Sequence, residues 1–190
     1  MDPVLITILV LAALIVVYAI FIYNHLVRLK HNVSRAFANI EVLLKQRHDE
    51  LPKLVATCKQ HMQYEQTTLE RVMQARAAVA SAGDRGDIKA LGQAETQLRL
   101  GLGNLFAVAE DYPELTASES FRHLHSRISG LESSIADRRE YYNESVNVYN
   151  IRIEQFPDLL IARRMGFAPA TLLEFDAAEI ADVDMTKLFK

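Results

Sequence analysis

The sequence predicts an all-α protein, a single N-terminal transmembrane helix continuing into an antiparallel bundle of four long helices. Three observations point there. Val4 to Tyr23 is a run of twenty residues without a charge. Beyond it, apolar residues recur at three- and four-residue spacing, with no strand-like alternation. Turn-forming clusters then divide the chain into pieces of helix length.

The run VLITILVLAALIVVYAIFIY spans about 30 Å as a helix, the hydrocarbon thickness of a bilayer. Its one hydroxyl outside the tyrosines, Thr7, can return a hydrogen bond to the helix's own carbonyls. A cleaved signal peptide is the rival reading. It needs a basic leader, a shorter apolar core and a small-residue cleavage site. Here Asp2 stands in the leader, and the run leads straight into NHLVRLK. Arg28, Lys30 and Arg35 follow the span, whereas nothing basic but the amino terminus precedes it. The positive-inside rule therefore predicts a short extracytoplasmic terminus (1–3), a span (4–23) and a cytoplasmic domain. Tyr18, Phe21 and Tyr23 cluster at the domain end of the span, as an interfacial aromatic belt does.

Four helical seams follow. The first continues the span through Leu26, Leu29, Val33, Phe37, Ile40, Leu43 and Leu44 to about His48. The second is predicted to open at Pro52, a residue suited to a first turn. Its seam runs Leu51, Val55, Cys58, Met62, Glu65, Leu69, Val72, Arg76 and Val79. GDRGD at 83–87 is a turn by composition. The third carries Leu91, Leu98, Leu102, Leu105 and Ala109 until Tyr112-Pro113 stops it, and the fourth runs from about Ser118 to Gln155. Phe156-Pro157 closes that helix, and DLLIARRMGF is read as a short helix turning back. Residues 24–167 thus form the bundle, and 168–190 an irregular acidic-apolar tail. The alternation of threes and fours also suits an intermolecular coiled coil, but four sequential helices can satisfy one another.

Charge excludes some functions. Against 21 Lys and Arg stand 24 Asp and Glu, which is not the basic footprint of a nucleic-acid partner. The single cysteine, Cys58, can form no internal disulfide and no cysteine-rich metal site. The six histidines are scattered; His123 and His125 lie roughly 200° apart around a helix and cannot grip one ion together. No HExxH, GxSxG, P-loop or glycine-rich dinucleotide turn occurs. No cofactor or metal is expected. The Arg85-Gly86-Asp87 tripeptide reads as a loop, and the NVS and NES triplets fall in helices.

Charges on the seams are the sharpest local feature. Glu65 and Arg76 fall in line on the second helix, Arg138 does so on the fourth, and Glu95, Glu132 and Arg139 stand close to the seams. A buried charge needs a partner, because desolvation otherwise costs several kcal/mol. These residues are therefore expected to pair across helices as structural staples that fix register. A di-metal site in a bundle would add Glu-x-x-His, which is absent. His48, within RHDELP, is read as capping a helix junction.

Taken in order, YNHLVRLK, RHDELPKLV, Glu65 with LERVMQAR, AVAEDYPEL, IADRREYYNESVNVYN and FPDLLIARRMGF resemble the LemA family from Tyr23 to Phe167. Arg138 stands where that family's A-R-x-x-Y-N stretch has its alanine, and Arg139 is the matching arginine. The resemblance implies an inner-membrane protein with a cytoplasmic helical bundle, no catalytic motif, and an accessory role beside membrane zinc proteases or small envelope proteins. The expected function is a non-enzymatic scaffold or adaptor on the lipid bilayer, self-assembling as a homo-oligomer and supporting the envelope or such a protease. A membrane-linked sensor is one alternative. An unrecognised hydrolase using Glu65, Glu95 or His48 is another.

Overall fold

Helices account for every regular element in the computed structural model, which describes residues 2–174. They are α1 (Pro3–Lys59), α2 (Gln66–Asp84), α3 (Ile88–Ala109), α4 (Pro113–Ala117), α5 (Glu119–Glu154) and α6 (Asp158–Arg164). The fold is all-α, with the apolar N-terminal helix continuing into the bundle. Four of the helices are long, and α4 and α6 are single short pieces. The acidic part of the tail, including Asp176, Glu179, Asp182 and Asp184, lies outside the described residues.

Contrary to expectation, Pro52 does not open a helix but sits inside α1, which runs 57 residues without a break. A proline in a helix interior withholds the amide that the carbonyl four residues earlier requires. Here that carbonyl belongs to His48, and Nε of Arg76 donates to it at 2.9 Å. A side chain from α2 thus replaces the missing backbone donor, and α1 continues to Lys59.

The actual break falls at 60–65, where short turn bonds replace the helical ladder and Met62 is buried as the anchor of the turn. Glu65 accordingly stands at the N-terminal edge of α2 rather than within a helix. The turn after α2 matches its composition. Gly86 takes a positive φ of 63°, and Asp87 caps α3 by accepting from the Ala90 amide at 3.0 Å. Pro113 stops nothing further but begins α4, being suited to a first helical turn.

The chain divides into two units. In residues 39–139 with 172–174, the second part of α1, the helices α2, α3 and α4, and the first part of α5 share a core. Leu51, Leu54, Leu69, Leu91, Leu98 and Ile128 are fully enclosed there. Gly92 has a specific reason to be glycine. A β-carbon there would lie 2.0 Å from the carbonyl oxygen of Glu174, so the segment ending in buried Leu173 crosses α3 at bare backbone.

Residues 2–38 with 140–171 make the other unit, from the first part of α1, the second part of α5, α6 and the extended chain that follows. Every large apolar side chain from Val4 to Phe21 is exposed, and Thr7 donates to the Pro3 carbonyl at 2.9 Å. So large an apolar surface makes this a membrane-associated chain. Packing begins at Ile22 and Leu26, and Phe37 meets Tyr142 with ring centroids 5.6 Å apart.

Candidate functional site

The buried charge of the bundle gathers around Arg47, a residue the seam reading passed over. It projects from α1 with only 1% of its side chain exposed. Nη2 reaches Oε1 of Glu95 on α3 at 2.5 Å, and Nη1 reaches Oε1 of Glu132 on α5 at 2.6 Å. Glu95 is equally enclosed, whereas Glu132 is 18% exposed and also stands 3.6 Å from Nε of Arg99. One arginine thus ties three helices together.

Burial opposes the charge on Arg47, but Glu95 and then Glu132 outweigh it and hold the guanidinium above its ordinary value. Burial also pushes the Glu95 carboxyl up; Arg47 pulls it back only in part, and Glu132 adds like-charge repulsion. Nε of Arg47, Oε2 of Glu95 and Oε2 of Glu132 have no hydrogen-bond partner among the described residues.

Beside it lies the Pro52 repair. Arg76 bonds the His48 carbonyl through Nε and approaches the imidazole Nε2 through Nη2. Burial, and then the Arg76 charge, hold His48 below its ordinary value. A neutral ring with its proton on Nδ1 can accept from Arg76, so the two observations agree. His48 therefore sits mid-helix, fixed by an arginine, and does not cap a junction. Two residues on, Glu50 accepts from Lys53 and from Nε of Arg127, each at 3.1 Å, and these bonds hold its carboxyl below the usual range.

The remaining candidates scatter. Glu65 is half-buried and accepts from the Thr68 hydroxyl at 3.4 Å. Arg139 is half-buried, and Arg138, expected on the seam, is exposed. Two helical turns separate buried Ile135 from buried Tyr142; Arg139, four residues after the one and three before the other, stands on the covered flank of that packed line, and Arg138 on the exposed one. Tyr18, Tyr23, Arg28, Lys30 and Arg35 all lie exposed along α1. Among the described residues, no group of three or more His, Cys, Asp or Glu could hold a metal.

The YYNESVNVYN stretch has a structural task that its spacing alone did not disclose. Tyr142, Tyr149 and Asn150 lie on one face of α5 and clasp the extended chain after α6. The tyrosine hydroxyls donate to the carbonyls of Thr171 and Ala168 at 2.8 and 2.9 Å. Asn150 exchanges two bonds with the backbone of Ala170. Arg152 meets buried Asp158, which pins α6 to the end of α5.

These features define a class: a membrane-associated helical protein whose polar core is ion-paired and whose extended segment is tied down by aromatic and amide side chains. The chain belongs to the LemA family, whose model matches residues 36–186. It is 26% identical over 191 residues to magnetosome protein MamQ 2 of Paramagnetospirillum magneticum, covering 88% of this chain and 70% of that protein. It is 25% identical over 168 residues to magnetosome protein MamQ of Magnetospirillum gryphiswaldense, covering 76% and 62%. Protein LemA of Metamycoplasma hominis is 24% identical over 167 residues, covering 87% and 74%.

Proposed function

We propose that the chain is a non-enzymatic, membrane-tethered scaffold, held by one pass through the inner membrane with its bundle in the cytoplasm. The observation that carries this reading is the use made of the buried charges. Glu95 and Glu132, the carboxylates best placed for chemistry inside the bundle, are turned onto Arg47 and link three helices. An acid–base pair would instead face a cleft open to substrate. The same helix that carries Arg47 also carries the apolar run, so one element serves as anchor and as bundle member.

The scaffold assembles laterally as a homo-oligomer, since confinement to one membrane in one orientation raises the effective concentration of weak contacts. A membrane protein, such as a zinc protease of the envelope, is the kind of client it would serve. Crosslinking in native membranes, with identification of captured proteins, tests this. Recurrent capture of self and of one membrane partner is expected. A chain that stays monomeric in mild detergent and captures nothing reproducibly sinks the scaffold reading. Orientation has its own test, because an alkaline phosphatase fused after Lys190 should be inactive, and full activity would reverse the topology.

A further inference from the structure

We propose that α6 and its flanks form a second, peripheral contact with the bilayer, in which Phe156, Leu160 and Met165 enter the headgroup region and Arg163 and Arg164 engage the phosphates of anionic lipids. The proposal rests on the membrane reading above and adds a surface that the transmembrane run does not include.

Position within the unit comes first. Phe37 of α1 meets Tyr142 of α5. Tyr142 and Tyr149 hold Thr171 and Ala168 in that order, and Phe167 meets Tyr23 with centroids 5.9 Å apart. The chain therefore descends α5 toward the membrane end of α1. Phe156 lies fourteen residues beyond Tyr142, and Tyr23 fourteen residues before Phe37. Tyr23 lies about 21 Å along α1 from Phe37, and α5 ends at Glu154, about 18 Å beyond Tyr142. Phe156, two residues further in the turn, therefore arrives close to the level of Tyr23, the last residue of the apolar run.

Chemistry comes second. Asp158 and Ala162 are the buried positions of α6. At 100° per residue, Arg163, Leu160 and Arg164 stand about 140°, 200° and 240° from Asp158 around the helix. The outward face is therefore a leucine flanked by two arginines. Leu160 is 59% exposed, Phe156 80% and Met165 55%. Apolar side chains rimmed by arginines are the composition of interfacial helices, whose apolar face sinks about 5–10 Å into the headgroup boundary. Exposed Arg28 and Lys30 follow Tyr23 on α1 by roughly 8–10 Å and extend the basic rim within headgroup reach. Asp158 does not cancel this charge, because it is buried against Arg152.

The chain contains no tryptophan, so each introduced one reports alone. Leu160→Trp and Phe156→Trp replace exposed residues in the full-length chain, reconstituted into vesicles with brominated acyl chains. Ile15→Trp reports on the span, and Tyr141→Trp, about 22 Å above Tyr23 along the same unit, is the water-facing control. The Leu160→Trp emission should shift to the blue and lose most of its intensity to bromines near the glycerol end, and less to bromines near the chain end. Ile15→Trp should show the reverse order, and Tyr141→Trp neither effect. Replacing part of the phosphatidylcholine with phosphatidylglycerol should increase quenching at Leu160→Trp. R163Q and R164Q should each lower that anionic-lipid dependence about fivefold in partitioning.

An unquenched Leu160→Trp beside a quenched Ile15→Trp overturns the proposal and leaves the span standing. If Ile15→Trp is also unquenched, the membrane reading falls and the proposal with it. A Leu160→Trp shielded from soluble acrylamide yet untouched by bromolipid assigns the face to a protein neighbour, which also overturns it. Quenching indifferent to phosphatidylglycerol removes the role of the arginines.

Discussion

Substituting Arg47 by Met removes the guanidinium that Glu95 and Glu132 share while keeping most of the buried volume. Two carboxylates then face each other in the core, one with 1% and the other with 18% of its side chain exposed. Removing one partner of a buried ion pair costs about 3–5 kcal/mol. Glu95 can escape by taking a proton, which burial already favours, so the lower half of that range, about 3–4 kcal/mol, is expected. At 2–4 °C per kcal/mol for a domain of this size, R47M should melt roughly 6–16 °C below wild type by far-ultraviolet circular dichroism of the full chain in mild detergent.

Replacing the whole cluster, R47M with E95L and E132L, should recover most of the loss, since a packed apolar core matches or exceeds a buried ion cluster in stability. The raised Glu95 carboxyl adds a pH signature. Its contribution is present below the unfolded carboxylate value of about 4.3 and is lost as pH rises through the higher folded value. E95Q, neutral throughout, should therefore gain on wild type as pH rises from about 4 toward neutrality. An R47M protein melting within about 2 °C of wild type would show that Arg47 does not hold the bundle together.

Other perturbations follow from particular contacts. R76A leaves the His48 carbonyl without a donor and should cost about 1–3 kcal/mol. P52A in the same chain restores a backbone amide to that carbonyl, and failure of this rescue in melting curves would refute the repair of the helix by Arg76. G92A would drive a β-carbon into the Glu174 carbonyl and lift Leu173 from the core, costing about 2 kcal/mol and opening the C-terminal segment to limited proteolysis. G103A, with open space around it, should instead stabilise α3 by up to about 1 kcal/mol. Cys58 is fully buried, and burial pushes its thiol to about 11, so maleimide should label it only after urea unfolding. Rapid labelling of the native protein would contradict its place in the core.

Much of the fold was legible because it depends on local patterns. Leu91, Leu98, Leu102 and Leu105 announce α3 by spacing, and the same residues are buried in it. Gly86 and Asp87 announce the turn before α3 through their backbone preferences, one taking positive φ and the other capping the helix. The break at 60–65 gave no comparable sign, because QHMQYE holds neither glycine nor proline and the turn is secured by burial of Met62. The clasp by Tyr142, Tyr149 and Asn150 was equally silent. Those residues look like ordinary members of a helix face until an extended segment is placed beside them.

The site is concealed from local patterns chiefly at one proline. Pro52 is a sound helix-starting signal when only neighbouring residues are weighed. Taken as a boundary, it cuts the first seam at about His48, so that Arg47 becomes part of a frayed end. With α1 continuous, Ile40, Arg47, Leu51, Leu54 and Cys58 occupy one buried line, and Arg47 stands seven residues after Ile40 and four before Leu51. Its burial was then open to the same counting that selected Glu95 and Glu132. What justified the continuity is Arg76, which lies 28 residues from His48 in sequence and donates to its carbonyl. No local propensity carries that information, since the compensation for a proline in a helix interior is a tertiary contact. The charge expected to staple α2 to its neighbours therefore has a second consequence: it allows α1 to continue far enough to place Arg47 in the core.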